Sequence, residues 1–267
     1  MLNSTVCRFE HFASPWYKQW GHALRPQPEP GEPDYHRKPW EWAAITQALV
    51  ERGALREGAR GVGFAVGTEP VVSLFASLGA YVIATDLPPQ NRASHIWRRA
   101  AQHGDSKEDL FVERLVDRER FESNVEFAFA DMNKAWDLPE HSFDFVWSSC
   151  ALEHLGGLGA GMRFVERSMR LLKPGGIAAH TTEYNVGSND QTVTRGPGVI
   201  YRQQDIELLD RRLRRAGACL APLDFEAGDH EYDRLFDFAP FYSHGRQHIK
   251  LLIDGHVATS MLLVVIA

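Results

Sequence analysis

The sequence has few cysteines and no long apolar run. Its three cysteines, Cys7, Cys150 and Cys219, are odd in number and widely spaced, which excludes a full disulfide framework and favours a reducing compartment. The longest apolar run, residues 261–267, is far too short to cross a bilayer, and the N-terminus lacks the basic start and apolar block of a signal peptide. We therefore expect a cytoplasmic protein without a membrane span.

Positive charge is also in deficit. The chain carries 29 Lys and Arg against 35 Asp and Glu, for a formal net charge of -6, which argues against a nucleic-acid partner. The densest basic run, residues 211–215, follows acidic residues on a predicted helix and is typical of a solvated helix face. With 267 residues, 44% of them hydrophobic, the chain is long enough for one sizeable α/β core. A homo-oligomer stays open.

Strand-like and helix-like segments alternate along most of the chain, which predicts an α/β fold with a parallel sheet covered on both faces. Residues 1–38, rich in aromatics and proline, predict an irregular arm. Pro39 is expected to open the first helix, and Thr68 to cap the second. Asp254-Gly255 predicts a terminal antiparallel hairpin. The predicted strands are 59–64, 81–86, 125–131, 143–148, 177–182, 248–253 and 256–265, and the later helical segments are 91–103, 162–172 and 205–216.

The stretch ARGVGFAVGTEP (59–70) is typical of a strand, a glycine turn and a helix start. Such a turn lets a ligand approach the backbone closely, and free N–H groups at the helix start favour a polar or anionic ligand. About twenty residues later, Asp86 ends a strand where a carboxylate can accept the hydroxyls of a ribose. These features fit a dinucleotide and S-adenosylmethionine equally well, and a purely structural turn is the bland alternative.

Three later segments carry a more specific pattern. They are VEFAFADMN (125–133), FDFVWSSCALEHL (143–155) and LLKPGGIAAHTTE (171–183), and the terminal hairpin follows them. In this order the sequence resembles the class I S-adenosylmethionine-dependent methyltransferases, over roughly Pro39 to Ala267. The resemblance implies a Rossmann-like, doubly wound sheet of seven strands with an antiparallel last strand, in a single domain 39–267. It is closest to bacterial small-molecule methyltransferases of saccharide pathways.

The first motif departs from the family pattern. On alignment Gly63 stands where the family has an acidic residue, Ala65 replaces its first glycine, and Gly67 alone keeps its place. Glu69 is then a candidate for the cofactor's ammonium group, or a residue that only favours the helix start. Arg37 or Lys38 could pair with the cofactor's carboxylate and Trp40 or Trp42 could cover it, with surface charge and core packing as alternatives. The predicted cofactor residues are Lys38, Gly63, Ala65, Gly67, Glu69, Asp86, Leu87, Asp131, Met132 and Ser149.

Methyl transfer to a hydroxyl needs a base, and a histidine near its ordinary pKa suits that task. The resemblance implies this role for His154, with Glu153 beside it, because both follow the fourth strand. The alternative is that they cap and pack the next segment. Glu153 or His154 could instead help to hold a divalent metal, but no metal-ligand spacing supports this, so none is predicted.

The acceptor is expected to be small and polar, most favourably a sugar or oligosaccharide. Two loop insertions near 184–202 and 228–247 are rich in hydrogen-bonding groups, which suits a hydroxyl-rich ligand. The candidate substrate residues are Tyr184, Asn185, Tyr201, Arg202 and His248. The product would be S-adenosylhomocysteine. Two other functions stay open: a non-catalytic cofactor-binding or partner protein, and a nicotinamide-dependent oxidoreductase or epimerase, for which no Tyr-x-x-x-Lys pair is found.

Overall fold

The computed structural model describes residues 1–25, 27–28 and 31–267. Pro26, Glu29 and Pro30 belong to the expected irregular arm and lie outside the described residues. The α-helices are α1 (Pro15–Leu24), α2 (Arg37–Val50), α3 (Val71–Ser77), α4 (Ser94–Arg99), α5 (Arg118–Asn124), α6 (Leu158–Ser168), α7 (Gln203–Arg215) and α8 (Glu231–Arg234). The strands are β1 (Ser4–Thr5), β2 (Arg60–Phe64), β3 (Tyr81–Asp86), β4 (Val125–Phe129), β5 (Phe143–Ser148), β6 (Gly156–Gly157), β7 (Leu172–Asn185), β8 (Arg195–Gly196), β9 (Cys219–Leu220), β10 (Leu223–Asp224), β11 (Leu251–Ile253) and β12 (His256–Ile266).

The central sheet has the strand order β11, β12, β7, β5, β2, β3, β4, with the short β9 beside β12. Strands β2, β3, β4, β5 and β7 are parallel to one another, whereas β12 is antiparallel to β7, β9 and β11. The last strand, β12, therefore lies between β7 and its hairpin partner β11. This confirms the predicted Rossmann-like α/β sheet. The eighth strand, β9, was not predicted, because two residues carry no alternation pattern.

Two apolar clusters cover the two faces of this sheet. Helices α2, α3 and α5 pack on one face, and α6 and α7 on the other. The parallel strands read as nearly continuous apolar runs because both of their faces are buried. Gly63 belongs to this packing: a Cβ at Gly63 would lie 2.3 Å from the ring of Trp147 on β5. Close strand packing, and not a ligand, requires glycine at this position.

Several boundaries differ from the sequence predictions. Strands β3 and β5 begin and end where expected, but only Ser94–Arg99 of the segment 91–103 is helical. Helix α2 begins two residues before Pro39, with the ring of His36 accepting from the amide of Lys38 at 2.9 Å. Thr68 does not cap α3, because its hydroxyl donates to the carbonyl of Ala101 at 3.2 Å.

The expected irregular arm contains a helix. Ser14 caps α1, its hydroxyl accepting from the amide of Tyr17, and Pro15 occupies the first turn, a position proline favours. The buried side chains of Tyr17, Trp20 and Leu24 repeat at helical spacing and join the cluster around α2. The prediction of an irregular segment is therefore wrong for 15–24, where capping and periodicity outweigh the proline content.

Candidate functional site

A cavity of about 770 Å³ opens at the carboxyl ends of β2, β3 and β5. This edge is where open α/β sheets bind ligands, because the strand order reverses there. The walls include nine of the ten predicted cofactor residues: Lys38, Ala65, Gly67, Glu69, Asp86, Leu87, Asp131, Met132 and Ser149. Gly63, the tenth, lies inside β2 beneath Trp147 and is not among the lining residues. The prediction that Gly63 contacts the cofactor is therefore corrected: Gly63 packs inside the sheet and does not reach the cavity.

The glycine turn after β2 takes a conformation that brings backbone to the cavity. Ala65 and Gly67 both have a left-handed backbone, with φ of 50° and 56°. A Cβ at Gly67 would lie 2.5 Å from the carbonyl oxygen of Gln102, so only glycine fits there without displacement. Ala65 keeps a small side chain at the wall, as the degenerate motif requires.

Asp86 is fixed by backbone amides. Its Oδ2 accepts from the amides of Gly67 at 3.1 Å and Gly104 at 2.9 Å, and its Oδ1 accepts from Leu87 at 2.6 Å. Burial raises the pKa of this carboxyl, against the lowering effect of those amides. A carboxylate has about four acceptor sites, so these three bonds leave one on Oδ1. Asp86 thus joins the turn to the 102–104 segment and keeps acceptor capacity for a hydroxyl.

Asp131 both stabilises a turn and lines the cavity. Its Oδ1 accepts from the amide of Asn133 at 2.9 Å, which makes an Asx turn after β4. The same side chain lines the cavity, with Oδ2 3.4 Å from the amide nitrogen of Asn91. Met132 is 5% exposed and forms apolar wall beside it.

Lys38 and Glu69 form a partly buried ion pair in the wall, with Nζ 2.6 Å from Oε1. Lys38 also lies 3.2 Å from Glu41 and donates to the Ser149 hydroxyl at 3.1 Å. Burial opposes the charge of Lys38, but the carboxylates of Glu41 and Glu69 outweigh it and raise the pKa of Lys38. Burial raises the pKa of Glu69 despite this ammonium. The turn therefore presents one cation and one carboxylate side by side.

His154 lies on a 3₁₀ turn (Leu152–His154) directly after β5 and lines the cavity. Its Nδ1 is 2.6 Å from the carbonyl oxygen of Pro197. A carbonyl only accepts hydrogen bonds, so in the neutral ring Nδ1 carries the proton and Nε2 holds the lone pair. Trp97 packs edge-on against the ring, with centroids 4.5 Å apart.

Glu153 stands behind His154. It is 1% exposed, and the hydroxyl of Thr182 donates to its Oε2 at 2.9 Å. Its Oε1 lies 4.0 Å from Nε2 of His154 and has no hydrogen-bond partner among the described residues. Glu153 was predicted as a catalytic residue beside His154, but it does not line the cavity.

The predicted acceptor residues lie outside the cavity wall. Tyr201 donates its hydroxyl to the Leu158 carbonyl, and Tyr184 stacks on Phe225. Asn185 holds the following turn, and Arg202 pairs with Asp205 at the start of α7. His248 bonds Asp237 at 2.8 Å beneath His36. These five residues were expected to bind substrate, but their polar groups are used in packing and capping.

Other residues that the sequence did not assign also line the cavity. His36 and Tyr242 line it together, with the ring Nε2 3.0 Å from the tyrosine hydroxyl. Trp42, and not Trp40, reaches the cavity; Trp40 is fully buried and donates to His11. The remaining unassigned lining residues include Arg25, Gln27, Trp97, Arg114 and Cys150. The local sequence does not indicate which of these side chains face the cavity, because they come from distant parts of the chain that meet only in the folded protein.

These walls fit S-adenosylmethionine. The left-handed turn leaves backbone exposed, Asp86 keeps one acceptor site for a ribose hydroxyl, and Asp131 stands at the next strand end. Glu69 and Lys38 offer the two charges that an amino acid terminus needs. The volume lies within the range of small-molecule sites.

Comparison with known proteins agrees with this geometry. Residues 62–180 match the family described as a methyltransferase domain. No curated protein matches the chain in sequence. The structure of an S-adenosylmethionine-dependent methyltransferase from Mesorhizobium loti is similar with a TM-score of 0.51 and 17% identity, covering 85% of this chain and 97% of that one. This likeness shows the shared fold.

Two further similar structures have lower scores. A methyltransferase of the same kind from Aquifex aeolicus has a TM-score of 0.44 and 15% identity, covering 96% of this chain and 95% of that one. Phosphoethanolamine N-methyltransferase 2 from Haemonchus contortus, in complex with S-adenosylmethionine, has a TM-score of 0.42 and 18% identity, covering 64% of this chain and 36% of that one. The match of residues 62–180 to the methyltransferase-domain family supports S-adenosylmethionine as the cofactor.

Proposed function

We propose that this protein transfers a methyl group from S-adenosylmethionine to a hydroxyl of a small polar acceptor, with a sugar or oligosaccharide as the favoured class. His154 serves as the general base. Residues 39–267 form the methyltransferase domain, and the arm 1–38 covers its cavity. Leu24, Arg25 and Gln27 of that arm line the wall.

The hydrogen bond between His154 and the Pro197 carbonyl is the observation that carries this proposal. Because Nδ1–H donates to the carbonyl of Pro197 at 2.6 Å, the lone pair of Nε2 is free to accept a proton. The ring lies in the cavity wall directly after β5. A base must be within hydrogen-bond reach of the proton that it removes, and this position satisfies that condition for an acceptor in the cavity.

When bound, S-adenosylmethionine would supply a methyl group on a sulfonium sulfur, so that the acceptor oxygen attacks the methyl carbon in line as the carbon–sulfur bond breaks and S-adenosylhomocysteine leaves. The chain's own residues hold and order the reactants, which supplies most of the rate enhancement in such a transfer. Nε2 of His154 takes the acceptor's proton as the new C–O bond forms. The carboxylate of Glu153, 4.0 Å away, favours the resulting imidazolium, since opposite charges attract strongly where water is excluded.

The polar and aromatic groups that line the cavity support a hydroxyl-rich acceptor. Arg25 and Gln27 supply donors, and His36 and Tyr242 supply ring and hydroxyl groups. Trp97, a wall residue beside His154, offers an aromatic face of the kind that packs on the apolar face of a sugar ring. This combination of aromatic and hydrogen-bonding groups favours a saccharide over a uniformly apolar acceptor.

The first experiment is isothermal titration with S-adenosylhomocysteine, with NAD as the control. We expect micromolar binding of the former and none of the latter. Radiolabelled S-adenosylmethionine and a panel of mono- and oligosaccharides then test methyl transfer, with phenols and amines as competing acceptor classes. Absence of cofactor binding would sink the catalytic proposal and favour a partner protein. Transfer to amines alone would overturn the O-methylation part.

Replacement of His154 tests the base directly. His154→Ala is expected to lower kcat by about 10²–10⁴-fold, the usual contribution of a general base, and to leave S-adenosylhomocysteine affinity nearly unchanged. His141→Ala, at an exposed loop position, is the matched control and should retain full turnover. A His154→Ala enzyme with near-normal kcat would remove His154 from the mechanism.

A further inference from the structure

A thiol and two carboxylates meet beside the cavity. Donor atoms of Cys150, Glu153 and Glu183 all lie within 4.8 Å of one another. Cys150 follows β5, Glu153 is on the 3₁₀ turn after it, and Glu183 is near the end of the neighbouring β7. Because adjacent parallel strands end at one edge, residues that follow β5 and residues at the end of β7 converge there.

Each carboxylate is held by one oxygen and leaves the other free. Oε2 of Glu153 accepts from Thr182 at 2.9 Å, and Oε1 of Glu183 pairs with Arg37 at 2.5 Å. Oε1 of Glu153 and Oε2 of Glu183 are buried and have no hydrogen-bond partner among the described residues. Glu153 is 1% exposed and Glu183 is 8% exposed. An unpaired buried carboxylate oxygen is costly, so two of them in one cluster indicate a missing ligand.

The thiol of Cys150 completes the set. Its Sγ donates to Oε1 of Glu41 at 3.1 Å and lies 3.7 Å from Nη1 of Arg37. The residue has a left-handed backbone, with φ of 44°, a conformation that costs free energy for a residue with a side chain and often marks a functional site. Cys150 is also the member of the set that lines the cavity.

Charge in this region is unbalanced. One network of neighbouring side chains contains two partly buried cations, Arg37 and Lys38, and four carboxylates. The carboxylates of Glu41, Glu153 and Glu183 are buried, and that of Glu69 is partly buried. Burying uncompensated charge is unfavourable. A divalent cation, bound with loss of the thiol proton, would bring the network from two excess negative charges to one.

We propose that Cys150, Glu153 and Glu183 form a binding site for a divalent metal of the zinc type. One sulfur and two oxygen ligands suit a borderline-soft ion. Tetrahedral bonds of about 2.0–2.3 Å place ligand atoms about 3.5 Å apart, so the three side chains close inward slightly on binding. The thiol proton is released to solvent as the metal–sulfur bond forms. Thr182 and Arg37 fix the non-ligating oxygens, as outer-shell partners do.

Metal binding at this site stands apart from methyl transfer, but its chemical role rests on the proposed function. Cys150 lines the cavity that His154 also lines, so the metal lies beside the acceptor. With the metal bound, Oε1 of Glu153 would ligate it and no longer stabilise an imidazolium at His154; the cation would instead polarise a hydroxyl and lower its pKa before the proton passes to a base. The site would then restrict acceptors to those with an oxygen that reaches it.

The test uses untagged, full-length protein stripped with a chelator. Isothermal titration with Zn²⁺ in two buffers of different ionisation enthalpy is expected to show one equivalent bound and one proton released. Co²⁺ substitution is expected to give a sulfur-to-cobalt charge-transfer band. Glu153→Gln, Glu183→Gln and Cys150→Ser should each weaken Zn²⁺ binding by at least about tenfold. Cys219→Ser, which removes another partly exposed thiol, is the matched control and should bind as the wild type does.

Two outcomes would overturn the site. Absence of stoichiometric Zn²⁺ binding by the wild type means that the carboxyls hold a proton instead of a metal. Tight binding that survives Cys150→Ser, or a cobalt complex without the sulfur band, places the metal elsewhere. The cobalt spectrum is read on the wild type, so it decides the question even where a variant fails to fold. If the metal site is overturned but the wild type still binds S-adenosylhomocysteine, the proposed function does not fail with it.

Discussion

At the residue scale, the cavity depends on charges that replace the usual acid of the first motif. Gly63 stands at that position and is packed under Trp147, so it supplies no carboxylate. Glu69 lies in the cavity wall one turn later and is already paired with Lys38. The sequence left two alternative roles for Glu69, binding of the cofactor's ammonium group or stabilisation of the helix start. Its position in the cavity wall favours the first role.

Glu69→Gln should weaken S-adenosylmethionine binding by about tenfold or more, which corresponds to about 1.4 kcal/mol. The amide removes the negative charge that would face the ammonium group of the cofactor, and it leaves Lys38 paired with Glu41. Glu166→Gln is the matched control, because Glu166 pairs with Arg212 on the opposite face of the sheet. Titration calorimetry measures both. Equal affinities for the two variants would assign Glu69 to the helix start alone.

At the element scale, the turn after β2 is a junction between three segments. The amide of Gly67 donates to Asp86 at the end of β3, and its Cα faces the Gln102 carbonyl of the 102–104 segment. Sequence spacing predicted the turn and Asp86. It did not predict the 102–104 segment, because a contact between distant loops leaves no periodic pattern.

Gly67→Ala is expected to destabilise the fold by about 1–3 kcal/mol and to abolish measurable cofactor binding. The added Cβ meets a backbone oxygen at 2.5 Å in a left-handed conformation. Gly175→Ala separates the two effects, since Gly175 has φ of 76° with nothing within 4 Å of a Cβ. It should lose about 1 kcal/mol and keep full affinity. Denaturant unfolding and calorimetry provide the readouts, and normal binding by Gly67→Ala would contradict this account of the turn.

The arm is a second case at this scale. Helix α1 buries Trp20, which is 8% exposed and donates its indole N–H to Gln47 of α2 at 2.9 Å. Trp20→Ala should cost about 3–5 kcal/mol of unfolding free energy, as deletion of a large buried aromatic does. Trp20→Phe, which mainly loses the hydrogen bond, should cost about 1 kcal/mol. Urea unfolding compares them. A loss below about 1 kcal/mol for Trp20→Ala would show that the arm is not part of the cooperative core.

At the scale of the whole molecule, the described helices do not include one with the length and apolar character needed to cross a bilayer. The interior of the protein contains buried histidines, among them His11 and His180. Burial lowers the pKa of His11 and of His180 from 6.5 to about 3. A base with a lower pKa in the folded state takes up a proton on unfolding. Its contribution to stability is complete above pH 6.5 and falls as the pH drops towards 3.

Acid should therefore destabilise the protein well before its carboxylates titrate. Each such histidine contributes a slope of about 1.4 kcal/mol per pH unit below pH 6.5. His180 is fully buried next to Ser148, and burial alone lowers its pKa, so His180→Gln should lower the slope by about 1 kcal/mol per pH unit between pH 6.5 and 5. Urea unfolding at several pH values measures it. Identical slopes would mean that His180 is not held neutral by the fold.

The sequence alone predicted the alternation of strands and helices and the terminal antiparallel hairpin, and its resemblance to a family supplied Asp131 and His154 as candidate site residues. The alternation and the hairpin follow from local periodicity and turn residues, which a single chain segment carries by itself. Only the tertiary structure decided which side chains face the cavity. Tyr184 and Tyr201 turned into the packing, whereas His36, Tyr242 and Cys150 turned into the site. Side-chain direction at a loop depends on contacts with distant segments, and such contacts exist only once the chain has folded.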